Sequence, residues 1–184
     1  MKSVLISIQP KWCELIANGK KTVEGRKTRP KNDTPFKVYI YETKGKKQYF
    51  SQPLPIPYNE GQGKVIGEFV CDKIRFANGT NFIVKEDAET TLQGTCLTED
   101  DIYKYLGIES GMSRYDKKTE FYCWHISNLV IYDKPKELHH FFKPCGDCDK
   151  KGTRRCTEEL TDCRAKVITR PPQSWCYVEE GGAE

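Results

Sequence analysis

No stretch of this 184-residue sequence approaches the run of about 18 apolar residues that a membrane-spanning helix requires. The N-terminus offers one lysine, a short apolar run and then a helix start, which is not the pattern of a secretory signal. A cytoplasmic location is therefore expected. Charge of one sign is scarce too: 30 basic residues against 26 acidic ones leave a formal net charge of +4. That balance permits a polyanionic partner without demanding one. Nine cysteines are an odd number, and without a leader they argue against a disulfide framework. The length suffices for one domain with its own core and a small appendage.

What is present centres on Gly19-Lys20-Lys21-Thr22-Val23-Glu24-Gly25-Arg26-Lys27. From Lys20 to Lys31 six basic residues accompany a single acid, Glu24. An acid so placed is either an ion-pair partner or a polar group aimed at a ligand. Ahead of it, Lys2 to Ile8 alternates as a strand, with Val4, Ile6 and Ile8 on one face and Leu5, Ser7 and Gln9 on the other. The second face turns polar at its end, where Ser7 and Gln9 either meet a ligand or satisfy backbone groups. Pro10 suits the first position of a short helix with a Trp12, Leu15, Ile16 stripe, and Gly19 suits the position after it. Regular pairing of the next strand puts Thr22, Glu24 and Arg26 on one face and Lys21, Val23 and Gly25 on the other. Gly25 in a strand interior marks a bulge or a close approach by another group.

Further strands are expected over Phe36 to Thr43, Gly63 to Phe76, Phe82 to Val84 and Phe121 to Tyr132. The proline-rich Ser51 to Gly63 is a loop, Asn78-Gly79 a turn, and Thr98-Glu-Asp-Asp101 a capping box opening a helix through Leu106. Glu68 reads as an edge charge and His125 as a structural histidine. Arg170 to Val178, entered through two prolines, reads as a final extended segment with Trp175 and Tyr177 on one face. Gly181 to Glu184 reads as a frayed end.

Four cysteines are bunched. Cys145, Cys148, Cys156 and Cys163 give one tight knuckle and two more thiols within reach, a set that suits closed, structural zinc. Four thiolates on zinc carry net −2, and Lys143, Lys150, Lys151, Arg154, Arg155, Arg164 and Lys166 can offset that charge. The same basic residues can also touch nucleic acid or a protein partner.

The Ser-Ile-Gln-Pro strand end, the short helix and Gly-x-Lys-x-x-Glu-x-Arg together resemble the ASCH domain family of the PUA-like superfamily. Val38-Tyr-Ile-Tyr-Glu-Thr43, Gly63-Lys-Val-Ile-Gly-Glu68 and Trp124 to Pro135 look like its later strands, so the resemblance covers Met1 to Leu138. It implies an α+β fold, a partly open PUA-like β-barrel over 1–138 with short flanking helices; the cysteine spacing adds a zinc-binding extension over 139–184 that is expected to pack back on it. It also implies a basic cleft that binds RNA or a modified nucleotide through Lys21, Glu24 and Arg26, with Ser7, Gln9, Tyr41 and Trp175 as further nucleotide-binding candidates. Arg26 offers a planar fork for phosphate or a base edge, Lys21 a compact charge, and Glu24 an acceptor for an exocyclic amine. Tyr39, Tyr41 or Trp12 can supply a stacking face. Some small ASCH proteins deacetylate acetylated cytidine, so an amidohydrolase using Lys21 and Glu24 is the alternative. A threonine stands in that subgroup where this chain has Glu24, and a carboxylate cannot replace a hydroxyl nucleophile. Glu24 would have to activate water while Lys21 polarises the carbonyl. A protein-interaction role for the basic zinc segment is the third reading.

Overall fold

The computed structural model describes residues 2–45, 61–78, 92–107, 120–144 and 166–180. The loop over 51–60, the Phe82 to Val84 strand, Gly79 of the expected turn, all four bunched cysteines and 181–184 lie outside the described residues. Among the described residues the chain divides into two compact units. One draws on Met1–Pro10, Lys37–Glu68 and Val130–Glu184; the other on Lys11–Phe36 and Phe69–Leu129. The strands form one sheet of seven and one of three, with few helices, which is the expected α+β class. No helix among the described residues is long and apolar enough to cross a membrane.

The first unit is built around β1 (Ser3–Ile8). β3 (Phe36–Glu42) runs parallel to it on one side and β10 (Trp175–Glu180) antiparallel on the other. The two neighbours satisfy both hydrogen-bonding edges of β1. Val4, Leu5 and Ile6 are all 0 % exposed, and the second face turns polar only at its end, where Ser7 is buried and Gln9 exposed. The chain after Leu138 supplies β8 (Phe141–Lys143), β9 (Lys166–Val167) and β10. With β4 (Val65–Cys71) and β7 (Ser127–Lys136), the sheet order is β7-β4-β3-β1-β10-β8-β9. Leu5, Tyr39, Tyr41, Val65, Phe141, Ile168 and Val178 form its apolar cluster. Over the sheet lies a polar ladder. Lys37 Nζ donates to Glu68 at 2.8 Å, the Tyr132 hydroxyl donates to Glu68 at 2.5 Å, and the Tyr39 hydroxyl donates to Glu180 at 2.9 Å. Glu68 is thus a paired charge. Burial works to raise its pKa, but the bonds from Lys37 and Tyr132 outweigh that and hold it below the usual range.

The second unit contains the three-stranded sheet β2-β6-β5: β2 (Val23–Arg26), β6 (Glu120–His125) and β5 (Ile74–Asn78). Helix α1 (Pro10–Ala17) buries Cys13 and Ile16, with Trp12 half-buried. Helix α2 (Glu99–Leu106) opens on the capping box. Thr98 Oγ1 accepts the Asp101 N–H at 3.1 Å, and Asp101 accepts the Thr98 N–H at 3.0 Å. Both orphan donors are satisfied reciprocally, so aspartate does the work of the usual glutamate. Val23, Ile102, Leu106, Phe121 and Cys123 pack as the core of this unit.

Two expected strands are each divided. Gly63 to Phe76 breaks at Asp72-Lys73 into β4 and β5, and Phe121 to Tyr132 breaks at Ile126 into β6 and β7. In each case the two halves join different sheets.

Candidate nucleic-acid interface

The motif Gly-x-Lys-x-x-Glu-x-Arg is assembled on β2 and the two residues before it. β2 pairs antiparallel with β6, placing Glu24 opposite Trp124 and Arg26 opposite Tyr122. Alternation sends Glu24 and Arg26 to one face and Val23 and Gly25 to the other, as expected. Gly25 is needed for close approach: a Cβ there would lie 2.3 Å from the Phe121 ring.

Lys21 departs from the expected face. The segment before Val23 is not yet strand, because the N–H groups of Thr22 and Val23 both donate to Gly94 O at 2.9 Å. The Lys21 ammonium therefore reaches Glu24, at 3.3 Å from Oε2. Arg26 lies 3.0 Å from Glu24 Oε1. All three are buried, with Lys21 2 %, Glu24 7 % and Arg26 9 % exposed. The plain ion-pair reading of Glu24 and Arg26 thus holds geometrically, but the pair is buried, not exposed.

The ammonium of Lys21 is held by two backbone carbonyls and one carboxylate. It donates to Val23 O at 2.8 Å and to Thr95 O at 2.6 Å, and it pairs with the Glu24 carboxylate at 3.3 Å. The Trp12 ring centroid stands 5.3 Å from the same nitrogen, a cation–π contact. Glu24 is different. Each carboxylate oxygen has one cationic partner and room for a second donor. The Glu24 carboxylate thus lies between two cations.

The turn at 92–97 completes the cluster, and the motif gave no sign of it. Thr95 is 0 % exposed; its hydroxyl donates to Leu92 O at 2.7 Å and accepts the Leu97 N–H at 3.2 Å, which fixes the carbonyl that Lys21 meets. Gly94 sits at φ +82°, and a Cβ there would lie 2.3 Å from Thr22 Oγ1. A side chain would break the strap that turns Lys21 toward Glu24. The glycine was the available signal.

The remaining candidates belong to the first unit. Ser7 is buried; its hydroxyl donates to Pro172 O at 2.6 Å and its N–H to Ser174 O at 2.9 Å. Gln9 is exposed. Tyr41 is 5 % exposed in the apolar cluster, and burial, then the charge of Glu137, holds its hydroxyl above the ordinary range. Trp175 is half-buried beside Tyr177, ring centroids 5.5 Å apart, and pairs with Ile6 across the sheet. So the structure brings Ser7 and Trp175 to the same β1–β10 junction, while Lys21, Glu24 and Arg26 meet on β2. His125 is exposed, with its Nδ1 2.6 Å from Asp72; this bond is the main cause of a lowered Asp72 pKa. Among the described residues no group of three His, Cys, Asp or Glu side chains can hold a metal.

The model of the ASCH domain matches residues 6–136. The chain belongs to the ASCH domain family. The matched span includes the whole Lys21–Glu24–Arg26 cluster and the turn at Gly94 and Thr95; the four bunched cysteines follow it. The crystal structure of ASCH from Zymomonas mobilis is similar at 18 % identity and a TM-score of 0.51, covering 97 % of this chain and 88 % of that one. Two mutants of the same protein, ZmASCH, match at 17 % identity with TM-scores of 0.53 and 0.51, covering 97 % of this chain and 89 % and 91 % of theirs. At that identity the likeness is one of fold. No curated protein matches this chain.

Proposed function

We propose that this ASCH-domain protein binds RNA, or a modified nucleotide within it, through Glu24 and Arg26, with Lys21 holding Glu24 in place. The observation that carries the reading is the buried Lys21–Glu24–Arg26 cluster, in which one carboxylate lies between two cations. An acceptor fixed between two cations suits the exocyclic amine of a base, and Arg26 beside it suits a phosphate or a carbonyl edge. ASCH domains are PUA-like modules of a kind that binds RNA, which supports the same class of partner. The buried Lys21 supports binding over amide hydrolysis, because its ammonium already donates to two backbone carbonyls and pairs with Glu24 instead of facing a substrate carbonyl.

The extension carries a zinc ion on Cys145, Cys148, Cys156 and Cys163 in this reading, as a closed structural site. The protein works in the cytoplasm.

The test is a binding and turnover screen of short RNAs and free nucleosides, acetylated cytidine included, on the native protein and on Arg26→Met. That variant leaves a neutral Lys21–Glu24 pair, so the fold is retained. Saturable binding that Arg26→Met weakens at least tenfold supports the reading. Release of acetate from acetylated cytidine would replace it with the hydrolase. Binding that is absent, or indifferent to Arg26→Met, would remove the cluster from the function.

A further inference from the structure

The face of the three-stranded sheet that bears Glu24 and Arg26 does not end with them. Arg26 pairs with Tyr122 on β6, and Tyr122 pairs with Phe76 on β5. Strict alternation places Arg26, Tyr122 and Phe76 in one row on one face. The opposite face is the apolar core of this unit, through Val23, Phe121 and Cys123. Exposure rises along the row. Arg26 is buried, Tyr122 half-buried, and Phe76 on the edge strand is 51 % exposed. Two inter-strand spacings put Phe76 about 10 Å from Arg26, within reach of a neighbouring nucleotide.

We propose that Tyr122 and Phe76 form a stacking platform for a nucleobase of single-stranded RNA, next to the nucleotide held at Glu24 and Arg26. The proposal rests on the RNA-binding reading above and adds a second subsite to it. The two rings have centroids 5.2 Å apart and planes inclined by 48°. They are not stacked flat on each other, so ring surface remains for a third partner. A solvent-facing phenylalanine beside a half-buried tyrosine on a sheet face is what a splayed base requires, since every base has a π-face. Charges of both signs flank the row. Arg26 closes one end, and the Arg29 charge acts on the Tyr122 hydroxyl. Glu120 brings the opposite sign: its carboxylate accepts the Tyr122 O–H at 3.2 Å, which fixes the ring. A carboxylate there suits the amino edge of a base rather than a phosphate.

The test uses a fluorescein-labelled pool of random octaribonucleotides, with anisotropy read across a salt series. Phe76→Leu keeps apolar bulk at an exposed position, so the fold is preserved, and a thermal melt checks it. Phe76→Leu should weaken octamer binding roughly tenfold, the scale of one lost base stack. Its salt slope should stay that of the native protein, because no phosphate contact is lost. Arg26→Met should instead lower the slope by about 0.7. Octamers bearing 4-thiouridine should photo-crosslink to the peptides that contain Phe76 or Tyr122. Unchanged affinity in Phe76→Leu, with binding still lost in Arg26→Met, would overturn the platform and leave the first site standing. Crosslinks confined to other peptides would do the same. No octamer binding by the native protein would overturn both.

Discussion

Replacing Glu24 with glutamine removes the anion that sits between two buried cations. The carboxylate lies 3.3 Å from Lys21 and 3.0 Å from Arg26. At an effective dielectric of about 20, each attraction is worth about 5 kcal/mol before desolvation is counted. Desolvation offsets much of that, but it is already spent in the native fold. Glu24→Gln keeps the shape and leaves two like charges buried side by side. The expected loss is about 3–5 kcal/mol, the range for a buried pair broken from one side. Arg26→Met should cost less, about 1–3 kcal/mol, because the surviving Lys21–Glu24 pair is neutral. Lys21→Met should fall between them: it also leaves a neutral pair, but strands the carbonyls of Val23 and Thr95. Urea denaturation followed by tryptophan fluorescence gives the order, provided the m-values agree. Inorganic phosphate should raise the midpoint of Glu24→Gln more than that of the native protein, since an added anion binds the unbalanced cations. If Arg26→Met proved more damaging than Glu24→Gln, the charge balance of the cluster would be misassigned and the argument would fail.

Four other outcomes are expected. Cys96 is exposed, while Cys71 and Cys123 are buried; a maleimide should label Cys96 in the native protein and reach the other two only on unfolding. Burial pushes the thiols of Cys71 and Cys123 up to about 12 and about 11 from an ordinary 9.0, so their folded forms hold protons that the unfolded chain would release. Their contribution is intact below about pH 9 and is lost as pH rises toward 11–12, which urea melts at increasing pH will show. Gly25→Ala should destabilise by about 1–3 kcal/mol through overpacking against Phe121, and Phe121→Leu should relieve part of that cost in a double-mutant cycle; additive costs would refute the contact. Metal analysis should find one zinc per chain, and Cys148→Ser should abolish it; a native protein free of zinc would remove the metal from the extension.

Where local rules act alone, the chain was legible. The order strand, helix, strand from Ser3 to Arg26 follows from alternation, Pro10 and Gly19, and the structure returns it nearly residue for residue. Thr98 and Asp101 form the reciprocal cap because both partners lie within four residues. The final strand at Trp175–Glu180 was readable from its alternation and its two prolines. The breaks were not. Phe121 to Tyr132 keeps a strand's composition through Ile126 with no glycine or proline to mark a bend, yet the chain leaves one sheet there for the other. At the break the Ile126 N–H donates to Thr22 O, and two residues on Asn128 takes φ +47°, a conformation that asparagine tolerates better than most residues. The Asp72-Lys73 break was more visible, as a polar pair inside an apolar run.

The candidate site divides along the same line. Glu24 and Arg26 share a face because strand alternation is a local fact. Lys21 joins them only because Gly94, more than seventy residues on, takes the N–H groups of Thr22 and Val23 and delays the strand. Thr95 then holds the lysine through a backbone carbonyl. A carbonyl has no identity in a sequence, since every residue carries one, so this contact could not be read from any motif. What can be read is the constraint that positions it. A glycine is required at 94 by its positive φ and by the 2.3 Å approach to Thr22. A threonine at 95 is favoured because its hydroxyl bonds within the turn on both sides. The motif names the charges, and this distant Gly-Thr pair sets their geometry. Gly94→Ala should therefore disturb Lys21 without touching any charged residue.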